Sequence, residues 1–150
     1  TADQSLISEL GATPLDYTTA SSDDIIAASP EGQGFNIVYD TVGGPVLEAS
    51  LSMTTHYGHI TSCAAFGNHN LASSSLRCAT VSGVFVLMPM LTGNRRAHHG
   101  DILKIATRLV EEGKLRPIVD PRHFTLDQAI EAHDAVQDRS ANIKVVIDVI

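Results

Sequence analysis

A chain of 150 residues with 43% apolar composition can bury one substantial core, so a single domain over residues 1–150 is the expectation. The formal charge of -7 and the mere ten Lys and Arg exclude a nucleic-acid or anionic-membrane surface, which needs clustered cations to neutralise phosphate. The only basic cluster, Arg95, Arg96, His98 and His99, is too small to change that.

The first residues, "DQSLISEL", set Leu6, Ile7 and Leu10 on one helical face, with Gly11 placed for a left-handed C-terminal cap. A helix so close to Thr1, with no initiating Met, reads as a fragment or an excised domain. "PLDY" is predicted as a short strand, and Ser22, Asp23 and Asp24 as the cap and first-turn acids of a brief helix over Ile25–Ala27. "FNIVYDTV" has little polar alternation, the pattern of a central strand covered on both faces of a parallel sheet. Pro45 suits the first turn of a helix over "PVLEASLSM".

"YGHITSCAAFG" and "CATVSGVFVLM" are predicted as two further strands, the second rich in β-branched and aromatic residues. From Gly100, Ile102, Ile105, Ala106, Leu109 and Val110 repeat at helical spacing, and Gly113 lies near the end. "PIVD" follows as a strand, Thr125 and Gln128 have capping-box spacing for another helix, and "KVVIDVI" closes the chain as a strand. Strands alternating with helices predict an α/β fold with a largely parallel sheet, in which ligands bind beyond the carboxyl ends of strands.

Several features bear on chemistry. Gly43, Gly44 and Pro45 end one strand and open a helix, so the backbone can approach a ligand and unpaired N–H groups can face it; a tight turn that binds nothing explains the same residues. Gly32 and Gly34 in "GQGFNI" precede a strand instead of following one, so they belong to a loop and not a phosphate fingerprint. His56 with His59, and His98 with His99, do not converge at strand or helix-start spacing, and read as surface or packed histidines, not a metal site. Asp16, Asp40 and Asp120 flank strands, where an acid or base and a turn-former are both open readings. No GxSxG elbow is present, and Cys63 and Cys78 have no CxxC spacing, so buried free thiols and a reducing, cytoplasmic setting are expected. No apolar run approaches the roughly 20 residues of a bilayer span, and no secretory signal pattern opens the chain. The strand "TVSGVFVLM" is either internal or an edge that pairs with another chain.

Taken in order, "LGATPLDYT", "FNIVYDTVGG", "YGHITSC", "SGVFVLMPMLTG", "ILKIATRLVEEGKLRPIVD" and "FTLDQAIEAHDAV" resemble the carboxyl-terminal half of medium-chain dehydrogenase/reductases. The likeness is to the zinc-lacking, quinone oxidoreductase-like branch and to zinc-binding dehydrogenases, and it covers nearly the whole chain. It implies an incomplete Rossmann-like, doubly wound and mainly parallel sheet with flanking helices, lacking the first two strands. A carboxyl-terminal segment from about 98 to 150 would pack toward a GroES-like domain outside this sequence.

The resemblance further implies hydride transfer from NADP or NAD, NADP being favoured, to a quinone- or enone-like carbonyl in the parent enzyme. The chain alone is expected to be inactive and to carry no zinc site. By position, Thr41, Val42 and Gly43 match neighbours of the nicotinamide-side ribose, and Ser62 and Cys63 lie beside the nicotinamide. Val84 and Phe85 match the segment meeting the carboxamide, and Lys144 a basic position near the cofactor phosphates, although the family's usual preceding Gly is Ile143 here. No acid, base or nucleophile is assigned. A homodimer through the 79–87 strand or by strand exchange is implied, with a small-molecule substrate as the other partner. A stand-alone dimerising or ligand-binding α/β module, and a zinc-dependent alcohol dehydrogenase, are the alternatives.

Overall fold

The computed structural model describes residues 4–138, 140 and 144–149. Its chain divides into two compact units, the first ending at Thr92 and the second beginning at Gly93. The fold is α/β, with a three-stranded parallel sheet and flanking helices in the first unit and a two-stranded parallel sheet in the second.

The first unit opens with α1 (Gln4–Glu9). Gly11, at φ 83°, closes it: its N–H donates to Ser8 O at 2.9 Å and that of Ala12 to Ile7 O at 3.1 Å, the paired bonds of a Schellman cap. "PLDY" is not a strand, because no neighbouring backbone pairs with it among the described residues. Instead the Asp16 carboxylate takes the Thr18 N–H at 3.0 Å and hydroxyl at 2.6 Å, which turns the chain. Helix α2 (Ser22–Ala27) is capped by Ser21, one residue before the expected Ser22, since Ser21 and Asp24 satisfy each other's backbone N–H in a capping box.

Three strands follow, β1 (Phe35–Asp40), β2 (Thr54–Ser62) and β3 (Thr80–Gly83), parallel and in spatial order β1-β2-β3. Helix α3 (Gly44–Met53) connects the first two and the short α4 (Ala72–Leu76) the next two. Leu47 and Leu51 of α3 pack on Ile60 of β2, flanked by Val38 and Ala79. Burying each of these three large aliphatic side chains contributes about 1.5–3 kcal/mol. The ladder is bulged once, since Phe35 pairs with Thr54 but Ile37 with His59, and Tyr57 in the bulge has φ 61°.

The expectation that β1 is central is corrected. It is an edge of this sheet, with Ile37 76% and Tyr39 61% exposed. An apolar cleft of ≈ 590 Å³ lined by Tyr17, Ile25, Phe35, Ile37 and Val46 runs along it. The strand predicted over 78–88 stops at Gly83, and the chain then forms α5 (Leu87–Thr92). Pro89 lies in the first turn of α5, where its missing N–H costs nothing. Both cysteines are free, as expected, but neither is buried: Cys63 is intermediate, and Cys78 is exposed on a turn at φ 50°.

The second unit begins with α6 (Arg96–Glu111), one turn earlier than the Gly100 start predicted. It ends at Gly113 (φ 68°), with Gly113 N–H on Val110 O at 3.0 Å and Lys114 N–H on Leu109 O at 2.8 Å. "PIVD" and "KVVIDVI" shrink to a single bridge, Val119 to Lys144, and to a two-residue strand β5 (Ile147–Asp148) parallel to β4 (Phe124–Thr125); Ile150 lies outside the described residues. The Thr125–Gln128 capping box is present and leads through one 3-10 turn into α7 (Ala129–Gln137). Phe124, Ala132 and Ala135 form the core of this unit, with Val145 and Ile147 against it. Buried Asp120 takes a two-pronged bond from Arg122, Nε at 2.8 Å and Nη2 at 2.7 Å. Those bonds hold its carboxyl at about 2.

Candidate functional site

The ladder sets the geometry of the site. Asp40 pairs with Ser62 and Ser62 with Gly83, so the three strands of the first unit end level with one another, and the segments leaving them share one edge. In parallel sheets this edge is where ligands bind.

A buried polar pair underlies the edge. Asp40 is 4% and Ser62 1% exposed. The Ser62 hydroxyl donates to Asp40 Oδ2 at 2.5 Å and accepts the Ala64 N–H at 3.0 Å. The Asp40 carboxylate also accepts the N–H of Val42 at 3.2 Å and of Gly43 at 3.1 Å. Burial pushes the Asp40 carboxyl up, but the Ser62 hydroxyl, the Gly43 and Val42 amides and the nearby His69 together outweigh it and hold the group below its ordinary value of 3.8. Backbone bonds complete the frame, Cys63 N–H to Asp40 O at 3.1 Å and Val84 N–H to Ser62 O at 2.9 Å.

Above this frame two segments cross without a side chain between them. Gly43 has φ 77°, and a Cβ there would stand 2.2 Å from Ala64 O, so only glycine permits the crossing. The helix end is less open than the sequence suggested. The Val42 and Gly43 amides are held by Asp40, Pro45 has none, and Val46 and Leu47 donate to Gly43 O at 3.2 and 3.4 Å. The expected row of unpaired N–H groups is therefore largely consumed by the turn itself, and nothing like a phosphate cradle remains.

Beside the crossing lies a shallow cavity of ≈ 220 Å³ lined by Ser62, Cys63, Ala65, Phe66, Val84 and Phe85, among others. Phe66 meets Phe85 edge to face, centroids 6.0 Å apart. The neighbouring Cys63 thiol pushes the Tyr39 phenol above its ordinary value of 10.0. The cavity is lined mainly by apolar side chains, the composition of a site for a flat ring.

Of the residues singled out by the resemblance, Thr41 and Val42 are exposed on the turn and Gly43 is buried in it. Ser62 and Cys63 end β2, and Val84 and Phe85 follow β3. Lys144 belongs to the second unit, where its backbone bridges Val119 and its carbonyl accepts the Asp120 N–H at 2.8 Å. Phe66, Ala65 and His69 were not foreseen as site residues; the strand predicted over 57–67 ends at Ser62, so Ala65 and Phe66 leave its end and His69 follows before α4. Asp16, Asp40 and Asp120 each hold a turn, by accepting from Thr18, from Val42 and Gly43, and from Arg122 respectively. Among the described residues no three His, Cys, Asp or Glu converge as metal ligands. The glycine crossing and the apolar ring-sized cavity do fit a nicotinamide dinucleotide.

Comparison with known proteins gives this geometry a family. A model for zinc-binding dehydrogenases matches residues 10–147. An alcohol dehydrogenase superfamily protein from Novosphingobium aromaticivorans superposes with a TM-score of 0.87 at 40% identity, covering 99% of this chain and 46% of that one. The CurK enoyl reductase gives 0.71 at 15% identity over 99% of this chain and 45% of its own, a likeness of fold. A highly reducing polyketide synthase of Emericella nidulans is 26% identical over 147 residues, 91% of this chain and 6% of the synthase. The chain thus spans less than half the length of each of these proteins. Its match over nearly all of its residues means that it belongs to the zinc-binding dehydrogenase family of the medium-chain dehydrogenase/reductase superfamily.

Proposed function

We propose that this chain supplies the nicotinamide side of an NAD(P)H cleft in an oxidoreductase acting on a quinone- or enone-like carbonyl compound, with NADP the preferred cofactor. The observation that carries the reading is the crossing of Gly43 and Ala64 over the Asp40–Ser62 pair, beside the Phe66–Phe85 cavity. Thr41, Val42 and Gly43 would hold the ribose, and Ser62, Cys63, Val84 and Phe85 the nicotinamide. When bound, the dinucleotide supplies the hydride. This chain's own residues orient the ring and keep water from one face of it. The enoyl reductase fold likeness and the synthase relative favour an activated alkene as acceptor.

The test is calorimetric titration of NADPH and NADH into the full-length protein and into residues 1–150 alone, with NADPH-dependent reduction of an enone as a second readout. Micromolar binding and turnover are expected of the full-length protein, and weak binding with no turnover of the chain alone. A full-length protein that binds neither dinucleotide would overturn the reading.

Homodimerisation through the 79–87 segment is part of the same proposal. Just past β3, Val84, Val86, Leu87, Met88, Met90 and Leu91 are 43–75% exposed, an apolar run without a single charge to discourage pairing. Light scattering is expected to give a dimer mass for the full-length protein and a monomer mass for Val86→Lys. A wild-type monomer at micromolar concentration would remove this part of the proposal.

A further inference from the structure

Phe66 lines the cavity but has no task in the proposed function. It leaves the end of β2 in the connection to α4, and it is 70% exposed, against 44% for Phe85. A side chain so open contributes little to the core through burial. Its backbone is nevertheless fixed. The Ala64 N–H donates to the Ser62 hydroxyl at 3.0 Å, and the Phe66 N–H to Ala64 O at 2.8 Å, the oxygen that Gly43 crosses. The edge-to-face contact with Phe85 then orients the ring. An exposed aromatic ring held in place on a loop beside a cavity is a recognition surface organised in advance.

Volume and charge narrow what it recognises. The cavity holds ≈ 220 Å³, and about 150 Å³ suffices for a benzene ring, so it admits one six-membered ring and not two. On the reading above that ring is the nicotinamide, against Ser62 and Val84. The second reactant then comes to the mouth, where the more exposed Phe66 stands. Among the described residues no charged side chain lines the cavity, so nothing there recruits an ionic group. For a flat π-system, stacking on an aromatic ring adds about fivefold in affinity beyond the area buried. A flexible open chain gains only the area.

We propose that Phe66 is the residue that selects the acceptor by shape, favouring a neutral planar ring conjugated to its carbonyl over an open-chain enone. The inference rests on the function proposed above and narrows it. In the full-length protein, Phe66→Leu and Phe66→Tyr are compared with wild type in NADPH-dependent reduction of tetramethyl-1,4-benzoquinone and of (E)-hex-4-en-3-one. Both acceptors carry an alkene conjugated to a carbonyl, so the comparison tests shape. The ring protons of Phe66 are followed by NMR as each acceptor is titrated in the presence of NADP.

Leucine keeps apolar bulk and loses the ring. Phe66→Leu is expected to lower kcat/KM for the quinone about fivefold, with the enone and the KM for NADPH within about twofold. Phe66→Tyr, which keeps the ring, is expected within about twofold of wild type on both acceptors. Equal losses on the two acceptors would make Phe66 a mere apolar cover and overturn the proposal. So would an unchanged quinone-to-enone ratio in Phe66→Leu, or a change of that variant from dimer to monomer mass, which would assign the ring to a subunit contact. A wild-type protein that reduces neither acceptor would refute the function proposed above. The Phe66 ring signals then decide the rest: a shift with the quinone and not with the enone supports capture of a planar ring, and no shift overturns it.

Discussion

Gly43→Ala is expected to destabilise the first unit by about 2–4 kcal/mol and to abolish dinucleotide binding by the full-length protein. Two costs combine in this substitution. A residue with a Cβ is strained at φ 77°, and the new methyl would meet Ala64 O at 2.2 Å, a backbone atom that no rotamer change can move aside. Relief requires the two segments to separate, which pulls Asp40 away from the Gly43 amide and opens the floor of the cavity. Gly44→Ala is the control. Gly44 is also left-handed, at φ 53°, but a Cβ there meets nothing within 4 Å, so it carries the strain without the collision and should cost about 1 kcal/mol. Thermal unfolding followed by circular dichroism measures both. Equal losses in the two variants would show that the crossing contributes nothing beyond backbone strain.

Asp40→Ala is expected to cost about 3 kcal/mol or more, since it strands the buried Ser62 hydroxyl and the Gly43 amide together. Asp40→Asn should cost less, because its carbonyl oxygen still accepts one of those bonds. The native protein should also show a specific acid sensitivity. The folded carboxyl sits below its ordinary 3.8, so the stabilisation it contributes is fully present above pH 3.8 and is lost as pH falls through the lower, folded value. Asp40→Asn should remove that component of the acid transition while leaving others, such as that of Asp120, in place. A wild-type acid limb carried unchanged into Asp40→Asn would show that this carboxylate is not the group responsible.

The parts of the fold legible in the sequence are those decided within a few residues. Gly11 and Gly113 cap helices because the left-handed conformation is a local preference, and the Thr125–Gln128 box forms because its partners lie one turn apart. Features decided by neighbours distant in sequence were not legible. "FNIVYD" has the composition of a buried strand, yet burial depends on what lies beside it, and here one side of β1 is open. "VFVLMPML" is as apolar in a helix as in a strand, so composition missed the stop at Gly83 and the start of α5.

The site divides along the same line. The Gly43–Gly44–Pro45 turn was visible as a turn, and ordered motifs identified its family. The bond that stabilises it joins Asp40 to Ser62, twenty-two residues away, and no spacing rule reaches that far. The expectation of free helix-end amides failed for a related reason: a carboxylate at the strand end reached them first. His69 carried no signal at all, being one histidine among seven in a stretch without periodicity.

The level ending of the three strands has a consequence for how such a site changes over time. Asp40, Ser62 and Gly83 are aligned by main-chain pairing, which any sequence able to form the ladder reproduces. The segments leaving them can then exchange side chains freely, provided that one glycine and one carboxylate–hydroxyl pair persist. A scaffold registered by its backbone tolerates wide drift in composition while still presenting three loops at a common height. On the function proposed above, it offers a practical route to altered acceptor specificity, in which the segments after β2 and β3 are replaced as whole cassettes and the ladder is left untouched.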